Sequence, residues 1–242
     1  MRRLDAYNYP EREADLTGVI ERGPHRVRWA VSGDPDGLPV IMSHGGPGGQ
    51  NKAFYRTMFD LDKWRMVQID QPGNGVSEPA GEIVENTTWL SIEDMETLRE
   101  QLGIERWVVA GGSWGSTLSI AYAETHPERT RALLLFCRWL GDPNSLDFWF
   151  DCGRHIFPEC YEEAVSGMAD EERQHPGRTL WRRILGDDAD LASDAARRLH
   201  DYEQVLMHLH PPTTSGGGYD PEVFSRVMAH YMVHDCFLEP NQ

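Results

Sequence analysis

Apolar runs and polar breaks alternate along the first 140 residues, and each run has a different length and grammar. Thr17–Glu21 and Arg26–Val31 alternate apolar and polar positions on either side of Gly23-Pro24, which predicts an antiparallel hairpin with one wet face. Leu38–Ser43 and Trp64–Asp70 are more continuous, as strands buried on both faces are. Each stops at a glycine-rich segment, His44–Gly49 and Pro72–Gly75. A helix is predicted to end near Leu102, with Thr87 or Ser91 as its cap and Glu93, Asp94 and Glu96 near its start. Trp107–Ala110 is the next apolar run, followed by a helical stretch that closes near His126-Pro127. Arg131–Cys137 reads as one more buried strand.

Buried runs separated by helices predict an α/β architecture with a mostly parallel sheet. The pattern changes from about Asn144 to Leu238, where helical periodicity dominates. Val223, Phe224, Val227, Met228, Tyr231 and Met232 form one apolar stripe. Thr213–Gly218 is a loop or linker, since its glycines lack the strand-then-helix context of a phosphate loop. The expected organisation is a core over residues 1–142 and a helical cap over 143–242, without internal repeats.

Composition narrows the function classes. Lys+Arg 23 against Asp+Glu 39 gives a formal charge of −16, which argues against nucleic acid or an anionic membrane as partner. The first residues lack the apolar core of a signal peptide, and no apolar stretch is long enough to span a bilayer. The 4 cysteines, Cys137, Cys152, Cys160 and Cys236, lack zinc spacing, and H-E-x-x-H is absent. A cytoplasmic protein without metal or organic cofactor is expected.

The candidate chemistry lies in Gly111-Gly112-Ser113-Trp114-Gly115, set between a buried strand and a helix. That context makes a nucleophile elbow of a G-x-S-x-G run: a sharp turn exposes the serine, and the following helix aims its N-terminus at developing negative charge. Ser113 is the predicted nucleophile and the Trp114 backbone N–H one oxyanion donor. The second donor is expected from the loop after Leu38–Ser43, with Gly46 as first choice and Gly45 as the alternative, because Pro47 has no N–H. His44 reads as a structural hydrogen-bonder.

Three motifs in order, His44–Gly49, Asp70–Ser77 and Gly111–Thr117, with Ala121-Tyr122 and His126–Arg129, resemble those of the proline iminopeptidases. The resemblance runs from about Tyr9 to the last residue. It implies an α/β-hydrolase fold with a helical cap, and release of an N-terminal proline from peptides through an acyl-enzyme on the serine. It also implies that acidic cap residues hold the substrate's free amine. Ala195–Glu203 is similar to the cap helix ending in one such glutamate, which assigns Glu203 to substrate binding. Two positions depart from the family. Pro72 stands where arginine is usual, and Met228 stands where a second amine-binding glutamate is expected, so a small acyl ester, amide or thioester is an alternative substrate.

The triad's acid and histidine follow strands beyond the cap in this fold. The chain stops at Leu238–Gln242, where the resemblance reaches the end of the cap. The expectation is a C-terminally shortened chain lacking the last strand–helix units, roughly 50–80 residues by usual element lengths. It would be inactive alone, with an uncovered sheet edge. An inactive natural relative is the other reading. His230, His234 and Asp235 lie in or just after a cap helix, so no triad acid or histidine is assigned. Oligomeric state is left open.

Overall fold

The computed structural model describes residues 8–207 and 220–239. The Thr213–Gly218 segment lies outside the described residues. The chain divides into two compact units, 1–140 and 141–242.

The first unit is built on a six-stranded sheet in the order β1-β2-β4-β3-β5-β6. Strands β1 (Leu16–Arg22) and β2 (His25–Gly33) form the antiparallel hairpin around Gly23. β2 then pairs antiparallel with β4 (Trp64–Ile69). From β4 onward the sheet is parallel, through β3 (Leu38–Ser43), β5 (Trp107–Ser113) and β6 (Thr130–Arg138). Alternation across the pleat sends Val40, Met42, Met66, Val108 and Ala110 to one face, where Phe59 and Leu61 complete a core cluster. Ile41, Val67 and Val109 are equally buried on the other face. Double-sided burial accounts for the near-continuous apolar runs of these strands.

Helix α1 (Ala53–Arg56) is a single turn within the connection from β3 to β4. Helix α2 (Thr88–Gln101) begins where Thr87 Oγ1 accepts from Leu90 N–H at 3.3 Å. Its first turn holds no acidic residue, contrary to expectation. Asp94 is instead buried in a bidentate pair with Arg22, at 2.7 and 3.0 Å. Helix α3 (Trp114–Thr125) packs on β5, β6 and β3.

One strand differs from its sequence reading. β6 is a strand, but most of it is exposed, with Leu133 42% and Leu134 38% accessible. It is the last strand of the sheet, and among the described residues no strand pairs with its outer edge. An apolar run reports a strand's preference for burial and says nothing about whether a neighbour is present.

The second unit is helical among its described residues. Short helices α4 (Pro143–Asp151), α5 (Gly153–Ile156) and α6 (Pro158–Ala164) lead to α7 (Pro176–Ile184), α8 (Ala189–Met207) and α9 (Pro221–Val233). α7, α8 and α9 pack against one another. Their shared core contains Leu180, Trp181, Leu199, Tyr202, Phe224, Val227 and Tyr231. Asp220 caps α9 by accepting from Glu222 N–H at 2.9 Å, with Pro221 in the first helical position, where a missing N–H costs nothing.

Candidate active site

Ser113 ends β5 and caps α3 with φ 54° and ψ −126°, a region that non-glycine residues rarely occupy. Close packing holds it there. A methyl group on Gly111 would lie 2.1 Å from Gly115 O, and one on Gly115 would lie 2.2 Å from Ser43 O. Both glycines are therefore required for strand, turn and helix to meet at this distance. Behind the elbow, Trp107 Nε1 donates to Tyr122 Oη at 3.0 Å, and Tyr122 donates in turn to Glu96. Burial and the Glu96 carboxylate push the Tyr122 hydroxyl well above its ordinary pKa, so it stays protonated as a donor.

The loop after β3 comes to the elbow. A methyl group on Gly45 would lie 3.3 Å from Ser113 Cβ and 3.8 Å from its Oγ, so the Gly45 backbone faces the serine directly. Gly46 follows with φ 126°, a conformation that favours glycine. The Gly45 carbonyl oxygen accepts from His44 Nδ1 at 2.8 Å. In a trans peptide the C=O and the following N–H point in opposite directions, so this bond also fixes the direction of the Gly46 N–H.

His44 is fully buried and its second ring nitrogen is engaged as well. Gln71 N–H donates to Nε2 at 3.1 Å. Nε2 must therefore be the acceptor and Nδ1 the protonated nitrogen. Burial lowers the His44 pKa, against the pull of Asp70, and the ring is neutral. A neutral ring with both nitrogens committed cannot take the serine proton. The other histidines of this unit are also placed elsewhere. His25 Nε2 contacts Val84 O at 2.7 Å, and the His126 ring lies tilted against Tyr122 beyond the far end of α3.

The segment after β4 folds around Asp70. Its carboxylate accepts from Asn51 N–H at 2.7 Å and Val76 N–H at 3.0 Å. A methyl group on Gly75, whose φ is 56°, would lie 2.4 Å from that carboxylate. Pro72 stands in this turn, and its carbonyl accepts from Asn86 Nδ2 at 2.8 Å.

In the helical unit, Glu203 lies on α8 beside Tyr202. The residue is half-buried, yet its Oε2 is closed to solvent and has no hydrogen-bond partner among the described residues. Burial pushes its pKa from 4.5 up to about 8. Met228 is 1% exposed and packs in the core of α9. His234 Nδ1 lies 2.7 Å from the His230 carbonyl, and Asp235 accepts from Arg178 at 3.0 Å. These last groups are engaged in the local structure of the helical unit.

Two residues of the site, Gln71 and Asn51, carry no chemistry in the sequence pattern by themselves. Both sit one or two residues from glycine motifs at the ends of β3 and β4. That position is the signal that could have flagged them.

A family model for the alpha/beta hydrolase fold matches residues 39–173. Among curated relatives, the chain is 37% identical over 217 residues to the proline iminopeptidase of Neisseria gonorrhoeae, covering 89% of this chain and 70% of that protein. It is 36% identical over 223 residues to the Arabidopsis thaliana proline iminopeptidase, covering 88% and 58%. Among solved structures, VinJ is 24% identical with a TM-score of 0.53, covering 93% of this chain and 78% of that one. An epoxide hydrolase from Vigna radiata is 14% identical with a TM-score of 0.55, covering 92% and 72%. These two share the fold. Together with the elbow and the parallel sheet, the curated relatives place the chain in the proline iminopeptidase family of α/β-hydrolase-fold serine hydrolases.

Proposed function

We propose that the protein releases an N-terminal proline, or a similar small residue, from peptides through an acyl-enzyme on Ser113. The observation that carries this reading is the strained Ser113 between β5 and α3, with the Gly45 backbone against its side chain. Ser113 Oγ attacks the carbonyl carbon of the first residue and loses its proton to a base. The N–H groups of Trp114 and Gly46, with Gly45 as the alternative to Gly46, receive the negative charge that develops on the carbonyl oxygen. The C–N bond breaks, the departing amine takes up a proton, and water then hydrolyses the ester.

Glu203 is the proposed acceptor of the substrate's α-amino group. A carboxyl group whose buried Oε2 has no partner among the described residues gains most from an ammonium ion, which favours its ionised form. The proposed setting is a reducing cytoplasm, which fits four free thiols. No helix among the described residues is long and apolar enough to cross a membrane.

Met228, buried as core, favours a second reading in which a small acyl ester, amide or thioester is the substrate. A thioether cannot pair with an ammonium. Turnover of a prolyl arylamide against a short aryl ester tests the two. Proline release that disappears in Ser113→Ala supports the first. Ester turnover without proline release overturns it.

A further inference from the structure

Gln71 is 2% exposed and lies between the two segments that carry the proposed oxyanion donors. Its side-chain Oε1 accepts from Trp114 Nε1 at 2.8 Å. Its side-chain Nε2 donates to the His44 carbonyl at 3.2 Å. Its backbone N–H donates to His44 Nε2 at 3.1 Å. An indole nitrogen only donates and a carbonyl only accepts, so one amide orientation alone satisfies both partners. Trp114 and His44 are themselves fully buried, which leaves water no access to replace either bond.

We propose that Gln71 is a positioning residue that locks the oxyanion loop to the nucleophile elbow. Its backbone N–H selects the His44 tautomer that holds the Gly45 carbonyl and thereby directs the Gly46 N–H. Its side chain ties the first residue of that loop, His44, to the indole of Trp114, whose backbone N–H is the other donor. Two N–H groups from different strand ends must converge on one oxygen with a tolerance of a few tenths of an ångström. Gln71 spans the gap between those strand ends with three hydrogen bonds. This role rests on the Ser113 reading above.

The test uses Gln71→Met, which keeps length and backbone N–H but removes both side-chain bonds, and Gln71→Glu, which keeps the acceptor and loses the donor while ionised. The reaction of Ser113 with a fluorophosphonate is followed at pH 6 and pH 8, separating the maximal rate from the half-saturating concentration. Gln71→Met is expected to lower the maximal rate about 10–100-fold, short of the roughly 10²–10³-fold for a lost donor, with half-saturation changed less than about threefold. Gln71→Glu is expected to recover relative to the parent at pH 6, where a protonated carboxyl again donates to the His44 carbonyl. A Gln71→Met rate equal to the parent's, or a loss confined to half-saturation, overturns the proposal. The Trp114 indole resonance in ¹H–¹⁵N spectra reads the clamp without any chemistry. It is expected to move upfield in Gln71→Met, and an unmoved resonance overturns the proposal. A parent protein that is not labelled at Ser113 reports the missing base and not the clamp, and the indole resonance then decides by itself whether the clamp exists.

Discussion

Glu203→Gln tests the electrostatics of the helical unit directly. The substitution preserves the shape of the side chain and removes its ability to ionise. In the native protein burial raises the pKa from 4.5 to about 8. Below 4.5 the carboxyl is protonated in both the folded and unfolded chains, and the substitution has no pH-dependent effect. Between 4.5 and about 8 the unfolded chain loses the proton and the folded chain keeps it, so stability falls as pH rises. Above that window the loss is complete. At about 1.4 kcal/mol per pKa unit the ceiling is about 5 kcal/mol, and relaxation around the ionised group reduces the expected loss to about 2–4 kcal/mol. Glu203→Gln abolishes this slope, leaving only a constant offset from its amide. Urea unfolding followed by helical circular dichroism at pH 5, 6, 7 and 8.5 measures both proteins. The stability of Glu203→Gln relative to the parent should climb by about 2–4 kcal/mol from pH 5 to pH 8.5. Saturating L-prolinamide should flatten the parent's slope, because an ammonium ion stabilises the carboxylate. Identical pH slopes for the two proteins would refute the reasoning, since Oε2 would then be solvated or paired.

Three further outcomes follow from other parts of the chain. Gly115→Ala forces a methyl group against Ser43 O, so it should lower the melting temperature by an amount corresponding to about 1–3 kcal/mol and abolish Ser113 labelling; a stable, fully labelled variant contradicts the elbow geometry. Tyr122→Phe removes the partner of both Trp107 and Glu96 and should cost about 1–3 kcal/mol in denaturant unfolding, whereas an unchanged midpoint would mean that these bonds are not formed. Leu134→Lys places charge on the exposed β6 and should alter stability in denaturant unfolding by less than about 0.5 kcal/mol; a loss several times larger would mean that Leu134 is buried.

The strands and helices of the sheet unit were legible because each carries a local signature. The hairpin alternates in period two, the inner strands are continuous apolar runs, and Thr87 marks the start of α2. The turn at Ser113 was legible for the same reason: a strand, a tight glycine turn and a helix are contiguous in sequence. The apolar run of β6 alone reads as a buried strand, and only the expectation of an uncovered sheet edge foresaw its exposure, because burial depends on which strand lies alongside. The role of Asp94 was not legible: a helix-start reading assigns it to the dipole, and the fold turns it toward Arg22 across 72 residues.

The sequence by itself determined the order of elements, the elbow turn and the family, since all three reside in short contiguous patterns whose physics is local. Only the tertiary structure decided how the chemistry is held. It set Gly45 against Ser113, gave His44 a single neutral tautomer, ran Gln71 from that histidine to Trp114, and left Glu203 Oε2 buried without a partner among the described residues. Those facts depend on side chains from separate strands and helices meeting where water is excluded. Hydrogen-bond direction and the cost of burying charge are fixed there by three-dimensional neighbours that no local pattern encodes.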